Sequence, residues 1–423
     1  MSFILKQLRK PVFFIEGKAN DGDYTNQPRS SQTKSNAYPA PLPTTNGAGD
    51  YKPGLEGVIA AETMLSHVDG QKGELIIGGF RLQELAANAT FEEVTYLLWQ
   101  GHLPEQEALD AFKCALAAKR SLPKPIEAIL RAAANAQLPT MTALRMAAAA
   151  IDLDGEAADG PGQAQQILAR LPTIVATYWR LRNGQPPITP DATLGHAANY
   201  LYMLTGEVPS AAQIRGVETY LNTVIDHGLN ASTFAARVII ATDTDLTSAI
   251  VGALGALKGP LHGGAPGPAL DMVFEIGQLA HAEGYLRAKL EAGERLMGFG
   301  HRIYKVRDPR AEVLSQAAET MFQTDGDMTL YELAKGVEAK AVALLAEYKP
   351  GRNLQTNVEF YTALLLHGLG LETDLFTPTF AISRAAGWLA HCFEQQKTGR
   401  LIRPQSRYVG PWEAAWLPVE KRV

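Results

Sequence analysis

The sequence predicts a mainly α-helical protein with one short β element near its N-terminal end. Apolar residues recur at three- and four-residue spacing over long stretches, which is the period of a helix with one buried face. Alanine is abundant and alternation of β-branched residues is rare, and both features favour helix over strand. The exception is the β-rich run of residues 74–77, which follows a turn at residues 69–73 and ends at two glycines.

Helices are predicted along most of the remaining chain. Thr90 precedes Glu93 by three residues, the pattern of a capping box that opens a helix. Pro123 and Pro125 end one helix and begin the next. No repeat of fixed period is present. Helical periodicity predicts further helices over residues 162–182, 211–225, 232–242, 270–282, 330–347, 355–367 and 380–394.

Residues 1–53 are predicted to form a flexible polar extension. Residues 17–53 are rich in Asn, Ser, Thr, Pro, Gly and Gln and contain few large apolar side chains, so they cannot bury enough surface to order themselves. The first ten residues mix basic and apolar side chains without a long apolar centre, which does not fit a signal peptide. An organelle-targeting segment stays the alternative to a solvated tail, although Glu16, Asp21 and Asp23 count against it.

Length, charge and cysteine content limit the class of protein. A chain of 423 residues predicts two domains, or one large domain with an elaboration. The net charge of −5 argues against a broad basic surface for nucleic acid. Cys114 and Cys392 are the two cysteines, and they predict a reducing compartment without a disulfide framework. No zinc spacing and no membrane-length apolar run is present, so we expect a cytoplasmic protein without metal or membrane partner.

Three glycine-framed or polar segments each carry one acid–base side chain. They are GPLHGG at residues 259–264 with His262, GFGHR at residues 298–302 with His301, and NVEFY at residues 357–361 with Glu359. Two histidines and a carboxylate can remove a proton from carbon and stabilise the resulting oxyanion. Taken singly, His262 could be a structural helix cap, and Glu359 could complement a helix dipole. Together the three segments predict an enzyme.

Cations near these segments indicate an anionic ligand. Four of them lie within nine residues of His301, namely Arg302, Lys305, Arg307 and Arg310. Such a cluster suits carboxylates or phosphates, although a solvated basic loop is the simpler interpretation. The glycine spacing fits neither a P-loop nor a dinucleotide fingerprint. Arg384 lies in an otherwise apolar helix, where it requires a structural carboxylate or a ligand anion. His227 lies at a helix boundary, where capping is the ordinary interpretation.

Six strings taken together resemble the signatures of the citrate synthase family in the right order, from about residue 53 to residue 411. They are GLEGVIAAET, LNASTFAARV, GPLHGG, MGFGHRIYK with DPRAEVL, NVEFYT and FTPTFAISRAAGWLAHCFEQ. The resemblance implies a two-domain, all-α homodimer with its active site in the cleft between domains. Residues 54–263 and 371–423 would form the large dimerisation domain, and residues 264–370 the small domain that carries CoA-binding and catalytic residues.

The resemblance also implies a role for each site residue. His262 would bind the thioester oxygen of acetyl-CoA, His301 would polarise the ketone of oxaloacetate, and Glu359 would take the α-proton. No cofactor is implied besides the CoA thioester as substrate. The oxaloacetate-binding positions would be His227, Arg310, Arg384, Phe380, which packs against the ligand, and Arg403, which reaches into the partner subunit's site. The CoA-binding positions would be Leu296, Met297, Gly298, Phe299, Gly300 and Lys305.

The chain departs from the family pattern at two single residues and in two three-residue stretches. Glu359 replaces an aspartate, Gly228 replaces a glutamate, residues 77–79 lack the usual tyrosine and arginine, and residues 265–267 replace Ala-Asn-Glu. A 2-methylcitrate synthase that uses propionyl-CoA stays open as an alternative, because one methylene in the acyl pocket discriminates between the two thioesters by only about 1–3 kcal/mol. So does a catalytically weak paralogue that binds CoA or a dicarboxylate. A citryl-CoA lyase module is disfavoured because it would normally be joined to CoA-ligase domains.

Overall fold

The computed structural model describes residues 51–153, 160–263, 266–325, 327–410 and 414–422. Residues 1–50 of the predicted N-terminal extension lie outside these residues. So do Gly264, which ends the GPLHGG segment, and Ala265, which begins the departure at residues 265–267. The described residues fall into two compact units. One comprises residues 51–56 with 405–410 and 414–422, and within it the Arg407 guanidinium lies 5.5 Å from the centre of the Tyr51 ring. The other comprises residues 57–404 and holds the elements described below.

The β element is a three-stranded antiparallel sheet. Its strands are β1 (Ser66–Asp69), β2 (Glu74–Ile77) and β3 (Phe80–Arg81). β2 is the run predicted from sequence, and it pairs with β1 in the register Ser66 to Ile77. The predicted turn between them is closed by the Asp69 carboxylate, which accepts hydrogen bonds from the backbone N–H groups of Gln71 and Lys72 at 2.9 Å. The sequence identified one strand of the three because β1 and β3 carry no period-two apolar pattern.

Sixteen α-helices occur within the described residues, which confirms the mainly α class. They are α1 (Leu82–Asn88), α2 (Phe91–Gln100), α3 (Gln106–Ala118), α4 (Lys124–Asn135), α5 (Thr140–Ala148), α6 (Gly160–Arg182), α7 (His196–Thr205), α8 (Ala211–Val224), α9 (Ala231–Ile240), α10 (Leu246–Leu257), α11 (Pro266–Ile276), α12 (Leu279–Glu291), α13 (Pro309–Asp325), α14 (Met328–Tyr348), α15 (Val358–Gly368) and α16 (Phe376–Thr398). None of the described helices is long and apolar enough to cross a membrane.

Most predicted helix positions are confirmed, and one is wrong. The Thr90 capping box is formed, since its hydroxyl accepts from the Glu93 N–H and the Glu93 carboxylate accepts from the Thr90 N–H. Residues 270–282 were predicted as a single helix, but α11 ends at Ile276 and α12 begins at Leu279. Gly277 has φ +64° and Gln278 is extended, so the chain changes direction there. Apolar periodicity continues across this break and hides it.

Helix α16 forms the centre of the larger unit. It packs against α2, α5, α6, α8, α9 and α10, and its Trp388 is fully buried. A second group of helices is joined by the packing of α13 on α15, α11 on α15 and α12 on α14. Helix α13 also packs on α8, which connects the two groups. The division into large and small domains stays a prediction.

Candidate active site

Five chain segments of the larger unit supply the candidate site. They are the α8–α9 loop with His227, the turn after α10 with His262, the α12–α13 loop with His301 and its continuation into the first turn of α13 with Arg310, the first turn of α15 with Glu359, and α16 with Phe380 and Arg384. The loops place polar side chains at helix ends, where backbone N–H and C=O groups are available as partners.

His262 is held as a neutral hydrogen-bond donor. Its Nε2 lies 2.7 Å from the Ser232 hydroxyl and 3.4 Å from the Ser232 N–H. A backbone N–H can only donate, so Nε2 is an acceptor and the ring proton lies on Nδ1. Burial, together with the charge of Arg384, lowers the pKa of His262 to about 4, and the ring is therefore uncharged at neutral pH. The Trp388 indole donates to the Ser232 hydroxyl at 3.1 Å and fixes it in turn.

His301 is fixed in the opposite tautomer. Its Nδ1 accepts from the backbone N–H groups of Ile303 and Tyr304, each at 3.1 Å, which leaves the ring proton on Nε2. The Nη2 of Arg310 lies 3.2 Å from that Nε2. Two donors facing one another require a shared acceptor, such as a carbonyl or carboxylate oxygen. Burial and the Arg310 charge lower the pKa of His301 to about 4, so this ring is also neutral.

Arg310 is oriented by a buried carboxylate. Asp308 accepts from Arg310 Nε at 3.0 Å and from Nη2 at 2.8 Å, and both side chains are almost inaccessible to solvent. The same carboxylate accepts from the Val358 N–H at 3.2 Å, at the start of α15. Asp308 therefore connects the His301 loop to the helix that carries Glu359, although the sequence analysis gave it no role.

Glu359 lies in the first turn of α15 beside the His301 loop. Asn357 caps the helix by accepting from the Glu359 N–H at 2.9 Å, and its side-chain amide donates to the Gly300 carbonyl at 2.9 Å. Burial raises the pKa of the Glu359 carboxyl, the Arg310 charge opposes this rise, and Asp308 adds to it. No hydrogen bond or ion pair of this carboxylate is found among the described residues. It is a carboxylate of raised basicity without a structural partner, as a general base requires.

Two cationic or polar groups complete the candidate anion-binding region. His227 is buried, and its Nε2 lies 3.1 Å from the Tyr304 hydroxyl. Arg384 is 2 % exposed, donates from Nε to the Val224 carbonyl at 2.6 Å and covers the Phe380 ring at 4.6 Å. Burial lowers the pKa of Arg384 to about 10, so the side chain stays charged at neutral pH. Within the described residues it has no carboxylate in salt-bridge contact, which leaves its charge for a ligand anion.

A buried polar chain that the sequence analysis missed lies behind His227. The fully buried carboxylate of Asp226 accepts from His391 Nε2 at 3.1 Å and from the Ser66 hydroxyl at 2.5 Å. The Nδ1 of His391 accepts from Arg237 at 2.9 Å, and Arg237 pairs with Glu394 at 2.6 Å. The Gly228 N–H donates to Ser66 at 2.9 Å, so the missing glutamate at 228 does not leave this loop without support. The only sequence signal was the position of Asp226 beside His227.

The predicted CoA loop is closely tied to the base-carrying segment. Phe299 forms a bridge with Thr356, the Gly300 N–H donates to the Gln355 carbonyl at 2.7 Å, and the Asn357 N–H donates to the Gly298 carbonyl at 2.9 Å. Leu296 is buried and Met297 is half-buried. Lys305 is exposed, with its Nζ 3.2 Å from the Arg302 carbonyl, so its cation faces solvent where a phosphate can reach it.

Replacement of Gly298 by alanine is expected to weaken acyl-CoA binding and lower stability by about 1–3 kcal/mol. Gly298 has φ +85°, and an added Cβ would lie 2.9 Å from the Phe360 Cβ. Thermal unfolding and the KM for acyl-CoA measure the two effects. Gly293→Ala is the matched control, because Gly293 has φ +78° but open space around it. Equal KM values for the two variants would contradict a role of the loop in CoA binding.

Arg403 is the one predicted site residue that the described part of its own chain does not bring to the site. It is exposed, and no hydrogen bond or ion pair of its side chain is found among the described residues. The other predicted acid–base and oxaloacetate residues are connected through two arginines. Arg310 lies 3.2 Å from His301 Nε2, and its charge acts on Glu359 and His227. The charge of Arg384 acts on His262 and His227.

Comparisons with known proteins identify the family of the chain. The family model described as "Citrate synthase, C-terminal domain" matches residues 54–405. A citrate synthase of Haloferax volcanii is 41% identical over 386 residues, which cover 89% of this chain and 100% of the relative. A 2-methylcitrate synthase of Mycobacterium tuberculosis is 38% identical, covering 87% and 93%. A Thermoplasma acidophilum citrate synthase, solved as a ternary complex with carboxymethyl coenzyme A and oxaloacetate, has a TM-score of 0.79 at 30% identity, covering 89% and 100%.

Proposed function

Because the chain belongs to the citrate synthase family of acyltransferases, we propose that it condenses acetyl-CoA with oxaloacetate and hydrolyses citryl-CoA to citrate and CoA. The observation that supports this most directly is the 3.2 Å approach of two donors, His301 Nε2 and Arg310 Nη2. The ketone and carboxylate oxygens of a 2-oxo dicarboxylate satisfy both donors at once. Arg384 supplies a second buried cation for the other carboxylate.

The first chemical step is removal of a proton from the methyl group of acetyl-CoA. Glu359 takes this proton, and the Nδ1–H of His262 donates to the thioester oxygen, which acquires negative charge as the enol forms. A neutral imidazole suits this role, because it donates a hydrogen bond without requiring a counter-ion in a buried site. The lowered pKa of His262 and the raised pKa of Glu359 support the two roles.

Condensation and hydrolysis follow. The enolate carbon attacks the ketone carbon of oxaloacetate, and His301 Nε2–H donates its proton to the ketone oxygen as that oxygen becomes a hydroxyl. Glu359 then releases the α-proton to solvent and His301 takes up a proton, so both side chains return to their starting states. The new carbon–carbon bond gives citryl-CoA. Water then attacks the thioester carbonyl, and the carbon–sulfur bond breaks to release citrate and CoA.

Glu359 is proposed as a working base despite its extra methylene. That methylene moves the carboxylate by about 1.5 Å relative to an aspartate on the same backbone. A misplacement of about 1 Å can lower the rate roughly a hundredfold, so the pocket must accommodate the longer side chain. Three observations support a proton-accepting role for Glu359. Asn357 holds its backbone N–H, its carboxylate has no structural partner among the described residues, and its pKa is raised.

Activity is expected to fall as pH drops through a pKa above the ordinary glutamate value of 4.5. Glu359 must be ionised to accept a proton, and burial favours its protonated form. His262 and His301 stay neutral until pH falls to about 4, so they do not set this limb. The measurement is kcat/KM against pH, which reports groups of the free enzyme. An acid limb centred near 4 would assign the limb to the histidines instead.

The second candidate is 2-methylcitrate synthesis from propionyl-CoA. The 38% identity to a Mycobacterium tuberculosis 2-methylcitrate synthase favours it as the alternative. One additional methylene in the acyl pocket changes the free energy of transition-state binding by only about 1–3 kcal/mol. Both substrates can therefore be turned over, at different rates.

Free CoA release, followed with a thiol reagent, distinguishes these functions. Purified protein with oxaloacetate is offered acetyl-CoA and propionyl-CoA in separate reactions. We expect a higher kcat/KM with acetyl-CoA. Preference for propionyl-CoA would move the assignment to 2-methylcitrate synthesis. No release with either thioester, from folded protein that binds oxaloacetate, would indicate the catalytically weak paralogue that binds CoA or a dicarboxylate.

We propose that the chain acts as a homodimer in the cytoplasm. Arg403 is exposed on its own chain, which is consistent with the predicted contribution to the partner subunit's site. Light scattering measures the mass in solution, and a monomer that retains full activity would contradict the role of Arg403 in trans.

A further inference from the structure

Tyr304 is a buried residue that contacts three members of the proposed oxaloacetate site. Its ring centre lies 4.9 Å from that of His301 and 5.7 Å from that of His227. The Arg310 guanidinium lies 5.7 Å from the same ring. Tyr304 is only 3% exposed, so these contacts are shielded from water. The proposed proton transfers and substrate contacts do not include Tyr304.

Two different groups of Tyr304 each bind one histidine. Its backbone N–H donates to His301 Nδ1 at 3.1 Å, and its hydroxyl lies 3.1 Å from His227 Nε2. We infer that Tyr304 is a positioning residue, whose hydroxyl holds the ring orientation of His227 while its amide, together with that of Ile303, fixes the ring orientation and proton position of His301. This inference deepens the proposed function and rests on it, because the proposed function is what makes the two histidines ligands of oxaloacetate.

The electrostatic surroundings explain why such a residue is needed. Arg310, Arg384 and His301 face His227, and burial and these charges hold its pKa well below the ordinary value. A neutral imidazole has one donor and one acceptor nitrogen, so the orientation of its ring decides which of the two faces a ligand. Burial also raises the pKa of the Tyr304 hydroxyl, which therefore keeps its proton. It is the only hydroxyl in contact with His227 among the described residues.

The amide and hydroxyl contributions can be separated by one substitution. Tyr304→Phe removes the hydroxyl and keeps the backbone N–H, the ring contact with His301 and the ring under Arg310. His227 Nε2 then loses a buried partner, while the two amide donors to His301 remain. The variant should therefore affect oxaloacetate binding more than proton transfer at His301.

Oxaloacetate binding to the ligand-free protein, measured by calorimetry, tests this expectation. We expect Tyr304→Phe to raise the Kd and the KM for oxaloacetate by about three- to tenfold, which is the effect of losing one buried hydrogen bond. We expect kcat to change less than about threefold. Tyr331→Phe is the matched control. Tyr331 is equally buried, and its hydroxyl donates to Glu319 at 3.1 Å, but it contacts no proposed site residue among the described ones.

The ring nitrogen shifts of His227, measured by ¹⁵N NMR in the absence of ligand, provide a readout that a merely structural role would not move. The His227→Gln spectrum assigns the signals. We expect the shifts of His227 to change in Tyr304→Phe, and those of His301 to stay as in the wild type. Unchanged His227 shifts together with wild-type oxaloacetate affinity would overturn the inference. Wild-type protein that fails to bind oxaloacetate would overturn the proposed function, whereas the shifts would still decide whether the Tyr304 hydroxyl binds and orients His227.

Discussion

Replacement of Glu359 by glutamine is expected to lower kcat for CoA release by about 10²- to 10⁴-fold, with oxaloacetate affinity retained. Glutamine has nearly the same shape but cannot accept the α-proton. The proposed oxaloacetate ligands His227, Arg310 and Arg384 do not require the Glu359 carboxylate, because Arg310 is already paired with Asp308. The kinetic assay with a thiol reagent and calorimetry with oxaloacetate measure the two quantities on the same preparation.

Glu359→Asp is the matched control for the loss of the base. It keeps the negative charge and withdraws the carboxylate by about 1.5 Å. We expect activity between that of wild type and Glu359→Gln, within roughly a hundredfold of wild type, because the base remains but is displaced. Full activity of the glutamine variant would show that another group takes the proton, and the assignment of Glu359 would fail.

Replacement of Arg310 by leucine is expected to abolish measurable oxaloacetate binding and to destabilise the fold by about 3–5 kcal/mol. The two effects have separate causes. The fold loses stability because Asp308 is 1% exposed and would lose its buried counter-charge. Oxaloacetate would lose a guanidinium beside His301 Nε2. Denaturant unfolding measures the stability, and calorimetry measures the binding.

A double variant separates the two effects. Adding Asp308→Asn to Arg310→Leu removes the unpaired charge and leaves an amide oxygen that can still accept from the Val358 N–H. Part of the lost stability should return, whereas oxaloacetate binding should not. If Arg310→Leu bound oxaloacetate with wild-type affinity, the proposed carboxylate-binding site would be wrong.

Local sequence signals predicted the helical class and the chemical groups of the site. The cap at Thr90 follows from cap chemistry, and the β-run of residues 74–77 and the helix predicted over residues 380–394 follow from residue spacing, all of which are encoded within a few residues. The acid–base residues could be recognised because glycine and proline interrupt the helices around them. The roles of His227 and Arg384 came from the family resemblance and not from spacing.

Long-range contacts could not be predicted in the same way. The partners Asp226 and His391 are separated by 165 residues, and neither lies in a pattern that indicates the other. The proton positions on His262 and His301 depend on the Ser232 and Tyr304 backbone N–H groups, whose directions are set by tertiary structure. The break at Gly277 was missed because apolar periodicity persists through it. Such features depend on which surfaces meet after folding.

The ties between the His301 loop and the start of α15 have a consequence for the flexibility of the base. Asn357 holds the backbone at Glu359, so the longer side chain can be accommodated only by rotation about its own bonds. A glutamate has three such torsions where an aspartate has two, and each sp³ torsion offers about three staggered states. Ordering it therefore costs more conformational entropy. The free-energy cost of this ordering, −TΔS, grows with temperature. The activation entropies of the Glu359 and Glu359→Asp forms should therefore differ even where their rates at one temperature coincide.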